Sequence, residues 1–120
     1  MEPTLFSGVN DKMAIVREEI FGPVGVISEF KTIDDVVDVA NDTAYGLAAG
    51  VHTESLRTAV EVSNRVKAGS MWVNQYNGVQ WQLPFGGFKQ SGIGRELGED
   101  ALHNYTQTKT VSINLGKTVV

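Results

Sequence analysis

The chain alternates strand and helix patterns between residues 24 and 74, and this alternation limits its fold more than any other feature. Apolar, β-branched or alternating side chains predict strands at 24–30, 47–52 and 70–74. The two helices between them are predicted to begin after Thr32 and Ser55, residue types that cap helix N-termini well. Strands joined by short helical crossovers run parallel. The sequence therefore predicts an α/β fold with parallel strands and helices packed on them.

The sequence changes character after Asn74. Residues 75–98 have no sustained periodicity and contain six glycines, which is typical of a functional loop when it lies inside a compact domain. A short helix is predicted within 97–105 and a last strand at 108–115. Three predicted parallel strands make an incomplete sheet whose edges need covering. We therefore expect the chain to be a piece of a larger enzyme-like domain.

Composition excludes several kinds of site. The chain has no cysteine, so it holds no disulfide, thiolate metal site or cysteine nucleophile of its own. Its net charge of −4 disfavours nucleic acid and anionic lipid as partners. The sequence has no recognisable secretory signal and no apolar run of the ~20 residues that span a bilayer. A soluble intracellular protein that binds neither nucleic acid nor membrane is expected.

Two glycine-rich stretches resemble phosphate-binding loops but lack the required pattern. In 92–98, Leu97 stands where the dinucleotide fingerprint needs glycine, and the stretch does not directly follow a strand. In 87–91, one residue too many separates the lysine from the serine of a P-loop. A tight turn near an active site is the better interpretation of both. His52 and His103 have no partners at metal-ligand spacing, so no metal site is predicted.

Aromatic residues are frequent between residues 71 and 88, a stretch that contains neither Arg nor Lys. Nucleic-acid readers interleave aromatic and basic side chains, so base stacking is not favoured. We predict that Trp72 belongs to the core. The other three, Tyr76, Trp81 and Phe85, are predicted to form the wall of an apolar pocket.

Two adjacent carboxylates precede the sequence Ile-Phe-Gly-Pro at residues 20–23. Such carboxylates are usually solvated, and Glu18 is interpreted in this way. Side chains alternate along an extended segment, so Glu19 and Phe21 share one face. A carboxylate accepts hydrogen bonds from both hydroxyls of a vicinal diol such as ribose, and a neighbouring ring can pack against the attached base. Glu19 and Phe21 are thus a candidate nucleotide-binding pair, with solvated charge as the alternative for Glu19.

Five motifs occur in a fixed order along the chain. They are EEIFGP at 18–23, YGLAAG at 45–50, WVN at 72–74, PFGGFKQSG at 84–92 and GRELG at 94–98. Over residues 2–115 the chain resembles the C-terminal part of an NAD(P)-dependent aldehyde dehydrogenase, of the general cytosolic and mitochondrial type that includes fungal members. The resemblance implies NAD or NADP as cofactor, an aldehyde as substrate and a homo-oligomer of the full-length enzyme.

The resemblance also implies roles for three residues. Glu19 would bind the ribose on the nicotinamide side, Phe21 would contact the nicotinamide ring, and Phe85 would line the aldehyde tunnel. Residues 1–107 would belong to the catalytic domain, and residues 108–120 would form an oligomerisation strand and tail.

The nucleophile of the family is a cysteine. The family's general-base glutamate and dinucleotide-binding domain lie upstream of the region that this chain resembles. No catalytic residue is therefore expected in this chain. The resemblance implies a fragment of an enzyme that oxidises an aldehyde to a carboxylic acid through a cysteine thioester, inactive by itself. The alternative is a short non-catalytic protein that binds full-length dehydrogenase subunits through its sheet edge. A cytoplasmic location is expected, with a mitochondrial one as the alternative.

Overall fold

The computed structural model describes residues 1–116. Within them the order of elements is strand and helix in alternation, followed by two short 3-10 helices. The elements are β1 (Thr4–Phe6), α1 (Ala14–Arg17), β2 (Val24–Val26), α2 (Ile33–Asn41), β3 (Ala48–Val51), α3 (Leu56–Arg65) and β4 (Ser70–Val73), with 3-10 helices at Lys89–Ser91 and Glu99–Asn104.

The four strands form two separate parallel pairs. β1 pairs with β2, and β3 pairs with β4, with Ala48 opposite Ser70 and Val51 opposite Val73. The predicted parallel direction is confirmed, but the expectation that all the strands share one sheet is wrong. β2 pairs instead with β1, a strand of only three residues that is too short to give a periodic signal. β2 is also shorter than predicted, because its last ladder bond, from Ile27 N to Phe6 O, is reached where β1 ends.

Both main helices begin where their sequence predicts. The Thr32 hydroxyl accepts a hydrogen bond from Asp35 N at 3.1 Å, and the Asp35 carboxylate accepts one from Thr32 N at 3.0 Å. This reciprocal capping box satisfies two backbone donors at the start of α2. Ser55 caps α3 in the simpler way, accepting from Thr58 N at 3.2 Å.

The core is small and lies between the two main helices and the β3–β4 pair. Its buried apolar residues are Val37, Ala59, Val62 and Trp72. The prediction that Trp72 belongs to the core is confirmed, and its indole N–H donates to Gly78 O at 3.2 Å. The radius of gyration is 21.0 Å, whereas a compact chain of this length would have roughly 14 Å. Much apolar surface is therefore left uncovered by the chain itself.

The last described segment differs from its prediction. Residues 108–115 form no strand within residues 1–116, and Val111, Ile113 and Leu115 are exposed. A strand needs a partner for its backbone groups, and the described chain offers none at this end. Residues 117–120 of the predicted oligomerisation segment lie outside the described residues. The helix predicted within 97–105 is present as the 3-10 helix Glu99–Asn104.

Candidate cofactor and substrate site

The segment 18–23 carries the candidate cofactor-binding pair and is held by backbone hydrogen bonds along its length. Glu18 N donates to Ala14 O at 2.8 Å, which ties the start of the segment to α1. Two three-residue turns follow, with Gly22 N bonded to Ile20 O and Val24 N bonded to Gly22 O, each at 2.8 Å. At the end of the segment, Thr4 N of β1 donates to Pro23 O at 2.9 Å. The path of the segment is thus defined from both ends.

The candidate side chains project from this ordered segment into solvent. Phe21 is 95% exposed and Glu19 is also exposed. Within residues 1–116 the Glu19 carboxylate takes part in no hydrogen bond or ion pair, so its oxygens are available as acceptors. An exposed phenylalanine forgoes about 2 kcal/mol of burial free energy relative to a covered one. A ring held in this way on a fixed segment is suited to contact a ligand or further protein.

Arg17 anchors the segment two residues before Glu19. Its Nε donates to Asp11 O at 2.6 Å, and its two terminal nitrogens donate to Asp42 O at 2.8 Å and to Asp42 Oδ2 at 2.7 Å. The hydrogen bond from Arg17, and then its charge, lower the pKa of Asp42, while the same contacts raise the pKa of Arg17. Sequence reasoning missed this pair because its members are 25 residues apart and belong to no shared motif.

Asp42 belongs to a turn, residues 41–46, that receives bonds from several parts of the chain. Lys89 Nζ donates to Asn41 O at 2.9 Å and to Thr43 O at 3.1 Å. Ser91 Oγ accepts from Gly46 N at 2.9 Å. Further bonds run from Gln90 N to Ala44 O and from Phe88 N to Gly46 O, at 3.0 and 2.8 Å. The motif PFGGFKQSG is therefore bonded to the 41–46 turn, and the Lys89 ammonium has backbone carbonyls as its partners.

Gly46 is required at this turn by close packing. A Cβ at this position would lie 2.7 Å from Lys67 O and 3.1 Å from Phe88 Cβ. The side chain of Asn41 completes the junction, donating to Arg65 O at 2.9 Å and accepting from Lys67 N at 2.7 Å. The turn thus joins the ends of both main helices to the later loop.

Phe85 lies half-buried in the loop after β4. An isolated antiparallel bridge holds it, with the N–H and C=O of Phe85 bonded to the C=O and N–H of Glu96, both at 2.7 Å. Phe85 and Trp72 share the wall of a cleft of about 240 Å³ with Gln75, Val79 and Leu83.

The predicted aromatic wall is only partly correct. Phe85 lines the cleft, but Tyr76 and Trp81 are 78% and 75% exposed and are not among its lining residues. Tyr76 instead meets the edge of Trp72, with ring centroids 5.4 Å apart. Too little of the described chain lies beside the loop to cover these two rings.

The two parts of the candidate site are both bonded to one junction. Among residues 1–116, no hydrogen bond links the segment 18–23 to the loop 75–98. Both are fastened to the 41–46 turn, the first through Arg17 and the second through Lys89, Gln90 and Ser91. The described residues include no group of three or more His, Asp or Glu side chains placed to hold a metal ion.

A second cleft, of about 430 Å³, lies between α2, α3 and β3. Its lining is mainly apolar, with Ile33, Val36, Val62 and Met71 among its walls and His52 as a lone imidazole. It contains none of the predicted site residues. No helix within residues 1–116 has the length and apolar character to cross a membrane.

Comparison with known proteins identifies the family. The model of the aldehyde dehydrogenase family matches residues 1–111. Aldehyde dehydrogenases of Alternaria alternata and Davidiella tassiana are each 65% identical over 116 residues, which cover 97% of this chain and 23% of theirs. The NAD+ complex of an aldehyde dehydrogenase from Bacillus cereus superposes with a TM-score of 0.91 at 53% identity, covering 95% of this chain and 23% of that one.

These matches confirm the family inferred from the five motifs, and they show that the chain spans less than a quarter of the length of these relatives. The mixed α/β fold with parallel strand pairs agrees with the same neighbours. This chain belongs to the aldehyde dehydrogenase family.

Proposed function

We propose that the chain is the C-terminal part of a longer NAD(P)-dependent aldehyde dehydrogenase, in which it positions the cofactor and shapes the aldehyde tunnel. The match of the family over residues 1–111 carries the proposal. The chain covers only 23% of the relative's length, its core is small, and much of its apolar surface is uncovered. These observations support its being one portion of a larger protein. Residues 1–107 would belong to the catalytic domain, and 108–120 would form the strand and tail through which subunits assemble.

The described residues fit the nicotinamide end of a dinucleotide. The Glu19 carboxylate, which is exposed and has no partner among residues 1–116, has acceptor sites for both hydroxyls of a ribose. Phe21 presents a bare ring two residues further on, an apolar surface for the planar nicotinamide. The NAD+ complex of the Bacillus cereus relative supports NAD as the cofactor, with NADP as the alternative. When bound, the cofactor supplies the acceptor for the hydride that leaves the aldehyde carbon.

This chain contributes binding and orientation rather than covalent chemistry. It contains no cysteine, so a thiolate that attacks the aldehyde must come from another part of the full-length enzyme. Glu19 holds the sugar, Phe21 limits the tilt of the ring, and Phe85 with the cleft beside Trp72 receives the apolar part of the aldehyde. Holding both reactants in place lowers the entropic part of the activation barrier. The alternative of a non-catalytic protein that binds dehydrogenase subunits is not favoured.

The test uses a full-length enzyme that carries this chain. It is either the longer natural polypeptide or the Alternaria alternata aldehyde dehydrogenase with residues 1–116 replacing its matching segment, which is 65% identical. Glu19→Gln keeps the size of the side chain but removes its charge and one acceptor. We expect a loss of about tenfold in the single-turnover rate of hydride transfer, corresponding to one charged hydrogen bond, with thioester hydrolysis unchanged.

Glu18→Gln is the matched control, because Glu18 is an adjacent and equally exposed carboxylate with no proposed role. We expect it to leave hydride transfer within twofold of the unmodified enzyme, as a surface substitution that removes no proposed contact should. An unchanged rate in Glu19→Gln, or an equal loss in Glu18→Gln, would contradict the proposed role of Glu19.

A further inference from the structure

The end of α2 receives two cationic side chains on three successive backbone carbonyls. Lys89 Nζ binds Asn41 O and Thr43 O, and Arg17 binds the carbonyl of Asp42 between them, in addition to its carboxylate. Carbonyls at a helix C-terminus lack intrahelical partners, and the negative end of the helix dipole lies there. Two cations are therefore well placed at this one point.

The two cations come from the two parts of the candidate site. Arg17 directly precedes the segment 18–23, and Lys89 lies four residues after Phe85. Each part is thus hydrogen-bonded to the same run of three peptide groups. Among the described residues, the two parts share no hydrogen bond with each other. A displacement of either cation would change the position of its own segment relative to the other.

We propose that residues 41–43 form a shared anchor that sets the cofactor segment and the aldehyde loop relative to each other, with Arg17, Asp42 and Lys89 as positioning residues. This inference rests on the proposed function, because it assumes that Glu19 and Phe21 hold the cofactor. It assigns Arg17 and Lys89 no contact with either reactant.

The geometry of Arg17 requires a guanidinium. Three of its N–H groups reach three acceptors on two different elements, the loop at Asp11 and the end of α2. A lysine keeps the charge but has a single nitrogen on a flexible stem, so it cannot bridge the same acceptors in a fixed plane. Arg17→Lys therefore loosens the anchor while preserving net charge.

Arg65 provides a matched control within the same chain. It too bridges two groups, the carboxylates of Asp34 at 2.5 Å and Glu61 at 2.8 Å. Its side chain is 35% exposed, close to the 40% of Arg17. Among the described residues its guanidinium makes no hydrogen bond to the segment 18–23 or to the peptide groups of residues 41–43, and its backbone carbonyl, which accepts from Asn41 Nδ2, is kept in the variant. Arg65→Lys therefore reports what the loss of a comparable ion pair does to the fold alone.

The experiment measures NAD+ binding by calorimetry and amide hydrogen exchange of residues 18–23 in the cofactor-free, full-length enzyme. For Arg17→Lys we expect about a fivefold rise in the Kd for NAD+ and faster exchange in residues 18–23, from loss of a positioned bidentate contact. Asp42→Ala should reproduce both changes. Arg65→Lys should change the Kd by less than about twofold and leave exchange in residues 18–23 as it was.

The outcomes separate this inference from the proposed function. If Glu19→Gln weakens NAD+ binding while Arg17→Lys changes neither the Kd nor exchange, the anchor is refuted and the role of Glu19 stands. If Glu19→Gln leaves the Kd unchanged, the proposed cofactor role fails, and faster exchange in Arg17→Lys would still support the anchor as a structural device. Equal effects of Arg17→Lys and Arg65→Lys would overturn the anchor, because general stability would then explain both. In the double variant Arg17→Lys/Glu19→Gln, the rise in Kd should be smaller than the product of the two single-variant rises, since part of the effect of Arg17 is exerted through Glu19.

Discussion

The helical region from residue 32 to residue 73 and the two site-bearing stretches, 17–23 and 75–98, are built on different physical principles. The helical region is periodic, capped at both helix starts, and contains the buried residues Val37, Ala59, Val62 and Trp72. The site-bearing stretches are aperiodic and mostly exposed, and polar bonds to the end of α2 hold them. Packing therefore stabilises one region, whereas directional hydrogen bonds position the other. Substitutions should accordingly affect stability in the first region and ligand binding in the second.

The largest expected effect on stability is in the core. Trp72 is 8% exposed and makes a hydrogen bond from its indole N–H to Gly78 O. Trp72→Ala in the full-length enzyme should lower the free energy of unfolding by about 3–5 kcal/mol through lost burial and a cavity. Chemical denaturation measures it. Leu56→Ala, at a residue 79% exposed in the described chain, is the comparison and should cost less than about 1 kcal/mol. A larger loss at Leu56 would show that the core extends beyond this chain.

A smaller effect on stability is expected at the start of α2. Thr32→Ala removes the hydroxyl that accepts from Asp35 N and should cost about 1 kcal/mol of unfolding free energy. Thr32→Ser keeps the hydroxyl and should be nearly neutral. Denaturation midpoints of the two variants measure the difference. Equal losses in both would mean that packing of the threonine methyl, rather than capping, matters here.

For the site-bearing loop, a change in ligand binding should exceed any change in stability. Lys89→Met removes both bonds to the end of α2 but keeps the aliphatic stem, and it should raise the KM for the aldehyde about threefold through a displaced Phe85. Lys67→Met is the control, because the Lys67 ammonium makes no hydrogen bond within residues 1–116. Steady-state kinetics and thermal unfolding of both variants provide the comparison. A fall in Tm with an unchanged KM for Lys89→Met would contradict this prediction, because Lys89 would then contribute to stability, as residues of the helical region do.

The smallest effect should appear at acidic pH. Arg17 lowers the pKa of Asp42, and Lys89 adds a smaller effect of the same sign, so the folded state favours the ionised carboxyl. The resulting stability is present above the ordinary carboxyl pKa near 4 and is lost as pH falls through the lower folded-state value. The difference in stability between the unmodified enzyme and Asp42→Asn should therefore be constant from about pH 6 to 8 and shrink below about pH 4. A difference that persists undiminished at lower pH would contradict an ionic origin.

Local signals made most of the helical region predictable. Thr32 with Asp35, and Ser55, mark helix starts through contacts three residues apart, which a sequence displays directly. β1 and α1 were missed because three and four residues are too few to show a period. The strand predicted at 108–115 is absent from the described chain because alternation alone does not supply a pairing partner.

The candidate site was predictable only in part. Glu19 and Phe21 are exposed, and their role in ligand binding stays a prediction from spacing and family resemblance. The anchor was missed, because Arg17 meets Asp42 across 25 residues and Lys89 meets Thr43 across 46. Such contacts depend on how helices and loops are placed in space, and no local motif records them. Tyr76 and Trp81 were predicted to line a pocket but are exposed. Aromatic character by itself therefore does not decide whether a side chain in a loop is buried.

The central claim is that Glu19 holds the ribose on the nicotinamide side of the cofactor. A crystal structure of the full-length enzyme with NAD+ tests it most directly. The account predicts hydrogen bonds of about 2.6–3.2 Å from the hydroxyls of that ribose to the Glu19 carboxylate, with the Phe21 ring against the nicotinamide. A complex in which NAD+ binds while Glu19 still faces solvent, or in which Glu18 takes its place, would contradict it.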